Sequence, residues 1–164
     1  MRFEDYVTEQ GNSLLRLTYV LTGDGYLAED LTQTALADAY RHWQRIETAR
    51  HPNAYVRRML VNAHLSWHRR RSSTERPSDL TAHTPKTEAD PADTIASRDQ
   101  TRQLLATLAP RARTVLVLRY YADLDDAAIA EAMGVSASAV RATASRALAT
   151  LRNGSDLHIV KERR

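Results

Sequence analysis

The sequence predicts an all-α protein of two small helical domains joined by an acidic, flexible linker. Three observations predict it. Apolar residues recur at helical spacing over long stretches on both sides of one interruption. Aromatics make up only 6% of the 164 residues while alanine is abundant, which favours helix over sheet. Between Ser72 and Asp93 the pattern gives way to Ser, Thr, Pro and acids, a mixture with too little apolar surface to offset its ordering entropy. The expected boundaries are therefore 1–71, a linker at 72–93, 94–153 and a tail at 154–164.

Composition excludes several classes. With 43% hydrophobic and 26% charged residues, the balance is that of an ordinary soluble globular protein. There is no cysteine, so disulfides, thiol catalysis and cysteine-ligated zinc are ruled out. The first residues, MRFEDYVTEQ, lack a signal-peptide core, and no apolar run is long enough to span a bilayer. A cytoplasmic location without membrane attachment is expected.

The first helix is expected from Phe3 to Leu21, with Tyr6, Val7, Leu14 and Leu17 near helical spacing. Gly11 inside it should cost about 1 kcal/mol relative to alanine. Gly23 can stop this helix and Asp24 can cap the next. From Ala28 to Gln44, residues Ala28, Leu31, Ala35, Ala39 and Trp43 share one face, flanked by Leu36 and Tyr40. Asp30, Gln33, Thr34, Arg41 and Gln44 lie opposite, open to water or a partner. Pro52 is a favourable first residue for the following helix, whose packing stripe is Val56, Met59, Leu60, Ala63 and Trp67. Arg57, Arg58, His68 and Arg69 stand on its other side, followed by Arg70 and Arg71.

Charge divides sharply along this half. Residues 1–40 hold two Arg against seven acids, net −5, whereas residues 41–71 hold eight Arg against Glu47 alone, net +7. The whole chain is only +3. Screening limits each charge to roughly 8–10 Å, so the local field decides, and it marks one strongly basic helix suited to phosphates. The linker is net −3, with Arg76 and Lys86 against Glu75, Asp79, Glu88, Asp90 and Asp93.

Helical pattern resumes near Thr94 and closes at Leu108. A markedly apolar helix then covers Arg111 to Tyr121. The stretch DLDDAAIAEAMGVSASAVRATASRALATLR fits a helix-turn-helix position by position. Asp125 caps a short helix packed through Ile129, Ala130 and Met133. Gly134 supplies the left-handed turn residue. Ser136 caps a second helix whose inner face is Val140, Ala144, Ala147, Leu148 and Leu151. Arg141 and Arg146 on the outer face favour DNA binding. Asn153-Gly154 is expected to end that helix, leaving a frayed basic tail.

Other chemistries find no support. His64 and His68 are one helical turn apart, but Leu65 stands where a metalloprotease motif has its glutamate, and no third ligand is near. No glycine-rich phosphate loop or nucleophile elbow exists. Trp43 and Trp67 read as core residues rather than stacking platforms. No enzyme, metal, cofactor or small-molecule substrate is expected.

In order and separation, these pieces resemble the extracytoplasmic-function class of bacterial RNA polymerase sigma factors. LTGD at Leu21–Asp24, AEDLTQ at Ala28–Gln33, AYVRRMLVN at Ala54–Asn62 and SWHRRR at Ser66–Arg71 carry the resemblance in the first half. LAPRARTVLVLRYY at Leu108–Tyr121 and the helix-turn-helix carry it in the second. The resemblance implies a sigma region 2 domain that binds core polymerase at the clamp helices of its largest subunit, through Asp30, Gln33, Thr34 and Arg41. It implies contact with the single-stranded −10 promoter element by Arg57, Arg58, Asn62, His68 and Arg69, with the connection Arg45–Asn53 holding an unstacked base. A region 4 domain would bind the double-stranded −35 element through Ser136, Ser138, Ala139, Arg141, Ala142, Ser145 and Arg146. The linker would thread the polymerase, and an anti-sigma factor is a further partner class.

Two departures stand out. Thr34 and Leu36 replace an acid and a phenylalanine usual in the family. Arg141, Ala142 and Thr143 replace a Lys-Ser-Arg type of sequence, so the DNA face is short of one cation. Two competing readings are an autonomous helix-turn-helix regulator and a sigma-like interaction module without promoter activity. A regulator of that kind usually dimerises, and no dimerisation element is evident.

Overall fold

A computed structural model describes residues 1–73 and 92–162. All regular elements among them are helical: α1 (Phe3–Thr22), α2 (Gly25–Arg41), α3 (Trp43–Ile46), α4 (Pro52–Ser73), α5 (Ala92–Ala106), α6 (Pro110–Leu116, continued by a π-helical turn over Val117–Tyr121), α7 (Asp126–Met133) and α8 (Ala137–Glu162). α1 to α4 lie in one compact unit, and α5, α6, α7 as far as Ala130 and α8 lie in a second. Most of the linker expectation lies outside the described residues.

In the first unit α1, α2 and α4 pack against one another pairwise. Gly23 ends α1 in the left-handed region, with φ 66° and its N–H on the Tyr19 carbonyl. This is the conformation for which glycine has no steric penalty. Asp24 then caps α2, its Oδ1 accepting from the N–H groups of Tyr26 at 3.0 Å and Leu27 at 3.2 Å. Ala28, Leu31, Ala35 and Ala39 are all buried, and the three alanines let the helices approach closely. Trp43 is buried too, with its indole N–H donating to the Met1 carbonyl at 3.0 Å. Tyr40, expected at the edge of this face, is 63% exposed and meets Phe3 edge-on.

Two corrections fall here. The helix expected to reach Gln44 breaks at His42, whose φ of −114° and ψ of 14° leave the helical region. Its Nδ1 lies 2.8 Å from the Asp38 carbonyl, a local bond that competes with helix continuation. In α4 the buried set is Val56, Leu60, Val61, His64 and Leu65. The packing stripe is thus turned from the expected one, and Met59, Ala63 and Trp67 lie at its half-buried margin. Two neighbouring helices instead of one widen the buried arc, which draws in His64.

In the second unit Arg113 joins α5 to α6. Its Nε donates to the Leu105 carbonyl at 3.0 Å, which also accepts from the Leu108 N–H, and its Nη2 to the Leu108 carbonyl at 3.2 Å, tying the end of α5 to α6. Burial pushes the Arg113 pKa down from its ordinary value. Thr114, Val115, Leu116, Val117 and Leu118 form a continuous buried run, and α6 packs on α8. The chain leaves the π turn through Asp123, which has φ 55°, a conformation that aspartate tolerates better than most residues.

α8 passes through Asn153 and Gly154 and continues to Glu162, which corrects the expected stop and the tail at 154–164. The reason is conformational. Gly134 and Gly23 take positive φ but Gly154 does not, and a helical glycine costs only about 1 kcal/mol.

Candidate functional site

Three exposed faces hold the candidate residues. On α2, Asp30, Gln33, Thr34 and Arg41 are all exposed, because Ala28, Leu31, Ala35 and Ala39 commit the opposite face to the core. Thr34 donates its hydroxyl back to the Asp30 carbonyl at 2.9 Å, and Arg41 pairs with Asp38 at 2.9 Å. Asp30 and Gln33 are therefore the side chains here best placed to meet a partner. Beside them runs a groove of about 370 Å³ between α1 and α2, lined by Val7, Gly11, Leu15, Glu29, Gln33 and Leu36 among others.

On α4, Arg58, Asn62 and Arg69 are exposed and Arg57 is half-buried. His68 does not join them. Its Nε2 is buried, and its ring stands edge-on to His64 at 4.7 Å and to Trp67 at 4.9 Å. Arg71 lies over the Trp67 ring, 5.1 Å from the centroid, a cation–π contact that keeps the charge at the surface. Among the described residues no group of three or more His, Cys, Asp or Glu side chains is placed to hold a metal.

The connection before α4 is buttressed from α1, which the sequence did not disclose. The Tyr6 hydroxyl donates to Asn53 Oδ1 at 3.0 Å, pinning the first turn of α4. Burial pushes the Tyr6 pKa up from 10.0 to about 12, and the charge of nearby Arg57 partly offsets the rise.

On α8, Ser136 caps the helix, its Oγ accepting from the Ala139 N–H at 3.1 Å. Ser138, Ala139, Arg141, Ala142, Ser145 and Arg146 are all exposed. Ser138, Arg141, Ala142 and Ser145 follow i, i+3, i+4 and i+7 spacing, so one face presents them together. Ile129, Ala130 and Met133 of α7 and Val140, Ala144 and Ala147 of α8 are buried. Gly134, with φ 67°, makes the turn between the two helices.

Beside this face lies an arrangement the sequence reading missed. The Asp126 carboxylate binds Arg119 Nη2 through Oδ1, while its Oδ2 lies 3.8 Å from Arg141 Nη1. The bond to Asp126 pushes the Arg119 pKa further up. The only available signal was the doublet Asp125-Asp126, one residue more than a cap requires.

Comparison with known proteins matches both halves of the chain. Residues 7–74 match the family model for Sigma-70 region 2, and residues 98–151 that for Sigma-70, region 4. The RNA polymerase sigma-E factor of Streptomyces coelicolor is 38% identical over 152 residues, covering 93% of this chain and 85% of the relative. The factor of the same name from Streptomyces avermitilis is 37% identical, covering 93% and 84%. Among solved structures, the sigma factor RpoE from Bartonella quintana, in complex with the anti-sigma factor NepR, has the same fold. Its TM-score is 0.69 at 20% identity, over 92% of this chain and 94% of that one. CnrH in complex with the cytosolic domain of CnrY superposes with a TM-score of 0.64 at 18% identity, covering 94% and 88%. The chain belongs to the sigma-70 family, as a sigma factor of the extracytoplasmic-function class that serves transcription initiation.

Proposed function

We propose that this sigma factor binds core RNA polymerase through α2 and selects promoters through α4 and α8, without catalytic chemistry of its own. Asp30 and Gln33, with Thr34 and Arg41 beside them, meet the clamp helices of the largest polymerase subunit. Arg58, Asn62 and Arg69, together with Arg57, hold the −10 element. His68 supports them by packing rather than by touching DNA. The connection Arg45–Asn53 receives an unstacked base of the open strand. Ser136, Ser138, Ala139, Arg141, Ala142, Ser145 and Arg146 face the −35 element. Residues 1–71 thus serve polymerase and −10 binding, and 94–153 serve −35 binding.

The observation that carries this reading is one chain with an exposed acidic-polar helix face and two exposed arginine-bearing faces. Arginines suit phosphates and guanine edges, while an exposed polar face without a basic cluster suits a protein partner. Such a protein works in the cytoplasm, beside the polymerase and the chromosome. Among the described residues no helix is long and apolar enough to cross a membrane. An anti-sigma factor is a further proposed partner, supported by the similarly folded sigma factor from Bartonella quintana, which is bound to one.

The test is in vitro transcription with core polymerase and a promoter library. Transcripts that depend on this chain and share −10 and −35 sequences are expected. Sequence-specific DNA binding without polymerase would instead identify an autonomous regulator. Polymerase binding without any promoter-specific transcript would identify an interaction module.

A further inference from the structure

We propose that Asp126 is a positioning residue that sets the −35 specificity of Arg141. The inference rests on the reading that Arg141 meets the −35 element. Asp126 opens α7 but does not cap it: Asp125 does, its Oδ1 accepting from the Ala128 N–H at 2.8 Å. The second acid is therefore free of that local duty, and its two oxygens go to two arginines on different segments. Arg119, on the π turn, holds Oδ1, while Oδ2 faces Arg141 on α8. The side chains of Arg119 and Asp126 are 24% and 27% exposed, whereas that of Arg141 is 62% exposed. Arg119 and Asp126 thus form a fixed post, and Arg141 is the group the post can steer.

Two consequences follow for DNA reading. A surface arginine samples many rotamers, and ordering its planar fork before contact lowers the entropy lost on binding. With Nη1 drawn toward Asp126, the remaining nitrogens are left to approach a base edge. The carboxylate also offsets one positive charge beside the recognition face, which weakens attraction to any phosphate regardless of sequence. Both effects raise the ratio of specific to non-specific binding. Stability is not the reason for the contact, because exposed ion pairs contribute only about 0–1 kcal/mol.

The test profiles promoter selection by full-length protein with core polymerase over randomised −35 sequences. Wild type, Asp126→Asn, Asp126→Glu, Arg141→Ala and the Asp126→Asn/Arg141→Ala double variant are compared, with thermal melting as a control on folding. Asp126→Asn should lower the preference at the Arg141-dependent base pair by about tenfold, within the range of one bidentate guanine contact. It should also raise binding to unrelated DNA. Asp126→Glu should keep most of the preference, and the double variant should match Arg141→Ala at that base pair. A wild-type profile for Asp126→Asn, where Arg141→Ala flattens selection, overturns the steering role alone. A further loss of preference at that base pair on adding Asp126→Asn to Arg141→Ala overturns it as well. An unchanged profile for Arg141→Ala overturns the base-reading assignment itself.

Discussion

The Thr32 hydroxyl donates to the Thr18 hydroxyl at 2.9 Å, inside the buried seam between α1 and α2. The Thr18 hydroxyl in turn donates to the Leu14 carbonyl at 2.7 Å, so the pair forms a directed chain. It crosses the packed side of the helix whose other side carries Asp30 and Gln33. Thr18→Val should remove the acceptor that Thr32 uses and destabilise this unit by about 1–3 kcal/mol. The double variant Thr18→Val/Thr32→Val should recover most of that loss, since neither polar group is then stranded. Trp43 and Trp67, the only two tryptophans, both lie in this unit, so urea denaturation followed by their fluorescence reports it directly. Additive losses would show that the two hydroxyls do not depend on each other.

Tyr6 predicts an alkaline transition. Its pKa is about 12 in the folded protein against 10.0 ordinarily, chiefly through burial. A raised folded pKa stabilises fully below the unfolded value and is lost as pH rises through the folded one. The contribution of Tyr6 should thus be complete at neutral pH and fall away between about pH 10 and 12. Tyr6→Phe should flatten that part of the stability curve. Near pH 7 it should lose about 0.5–1.5 kcal/mol with the bond to Asn53. Unfolding midpoints of both proteins across this range check the sign, and parallel curves would refute it.

Much of the fold was legible because local chemistry and tertiary packing agree. Gly23 and Asp24 announced the α1–α2 corner, and Asp125, Gly134 and Ser136 announced the helix-turn-helix. The departures arise where a tertiary or conformational choice decides. His64 looks like a surface histidine by type, yet two neighbouring helices enclose it. Gly154 looks like a stop, but nothing holds it in the left-handed region. At the candidate site, exposure of Asp30, Gln33, Arg58 and Arg141 followed from helical periodicity. The contact of Asp126 with two arginines did not, since it joins Arg119 and Arg141 across a turn whose geometry no spacing rule supplies.

Asp30→Arg tests the polymerase face. Asp30 is exposed and among the described residues forms no ion pair, whereas Arg41 pairs with Asp38. Reversing its charge should therefore leave helicity and melting temperature nearly unchanged. Affinity for core polymerase, measured by titration of a fluorescent derivative, should fall at least tenfold, a difference of about 1.4 kcal/mol. Gln33→Ala should cause a smaller loss, because a neutral hydrogen bond contributes about 0.5–1.5 kcal/mol. Unaltered core affinity in both variants would remove α2 from the interface.

Arg57 and Arg58 separate electrostatic from structural roles on the basic helix. Arg58 is exposed, whereas Arg57 is half-buried and close enough to Tyr6 to affect its ionisation. Each arginine that neutralises a phosphate should contribute about 1 to the slope of log affinity against log salt. Arg58→Ala should lower that slope by about 1 without changing stability. Arg57→Ala should lower it by a similar amount and also shift the Tyr6 transition upward, because the charge that holds it down is gone. The double variant should lose about 2 from the slope in promoter binding by the holoenzyme, with the greatest loss of open complex at low salt. Normal promoter opening and an unchanged slope would mean that this face is only solvated surface, and that the −10 contact lies elsewhere on α4.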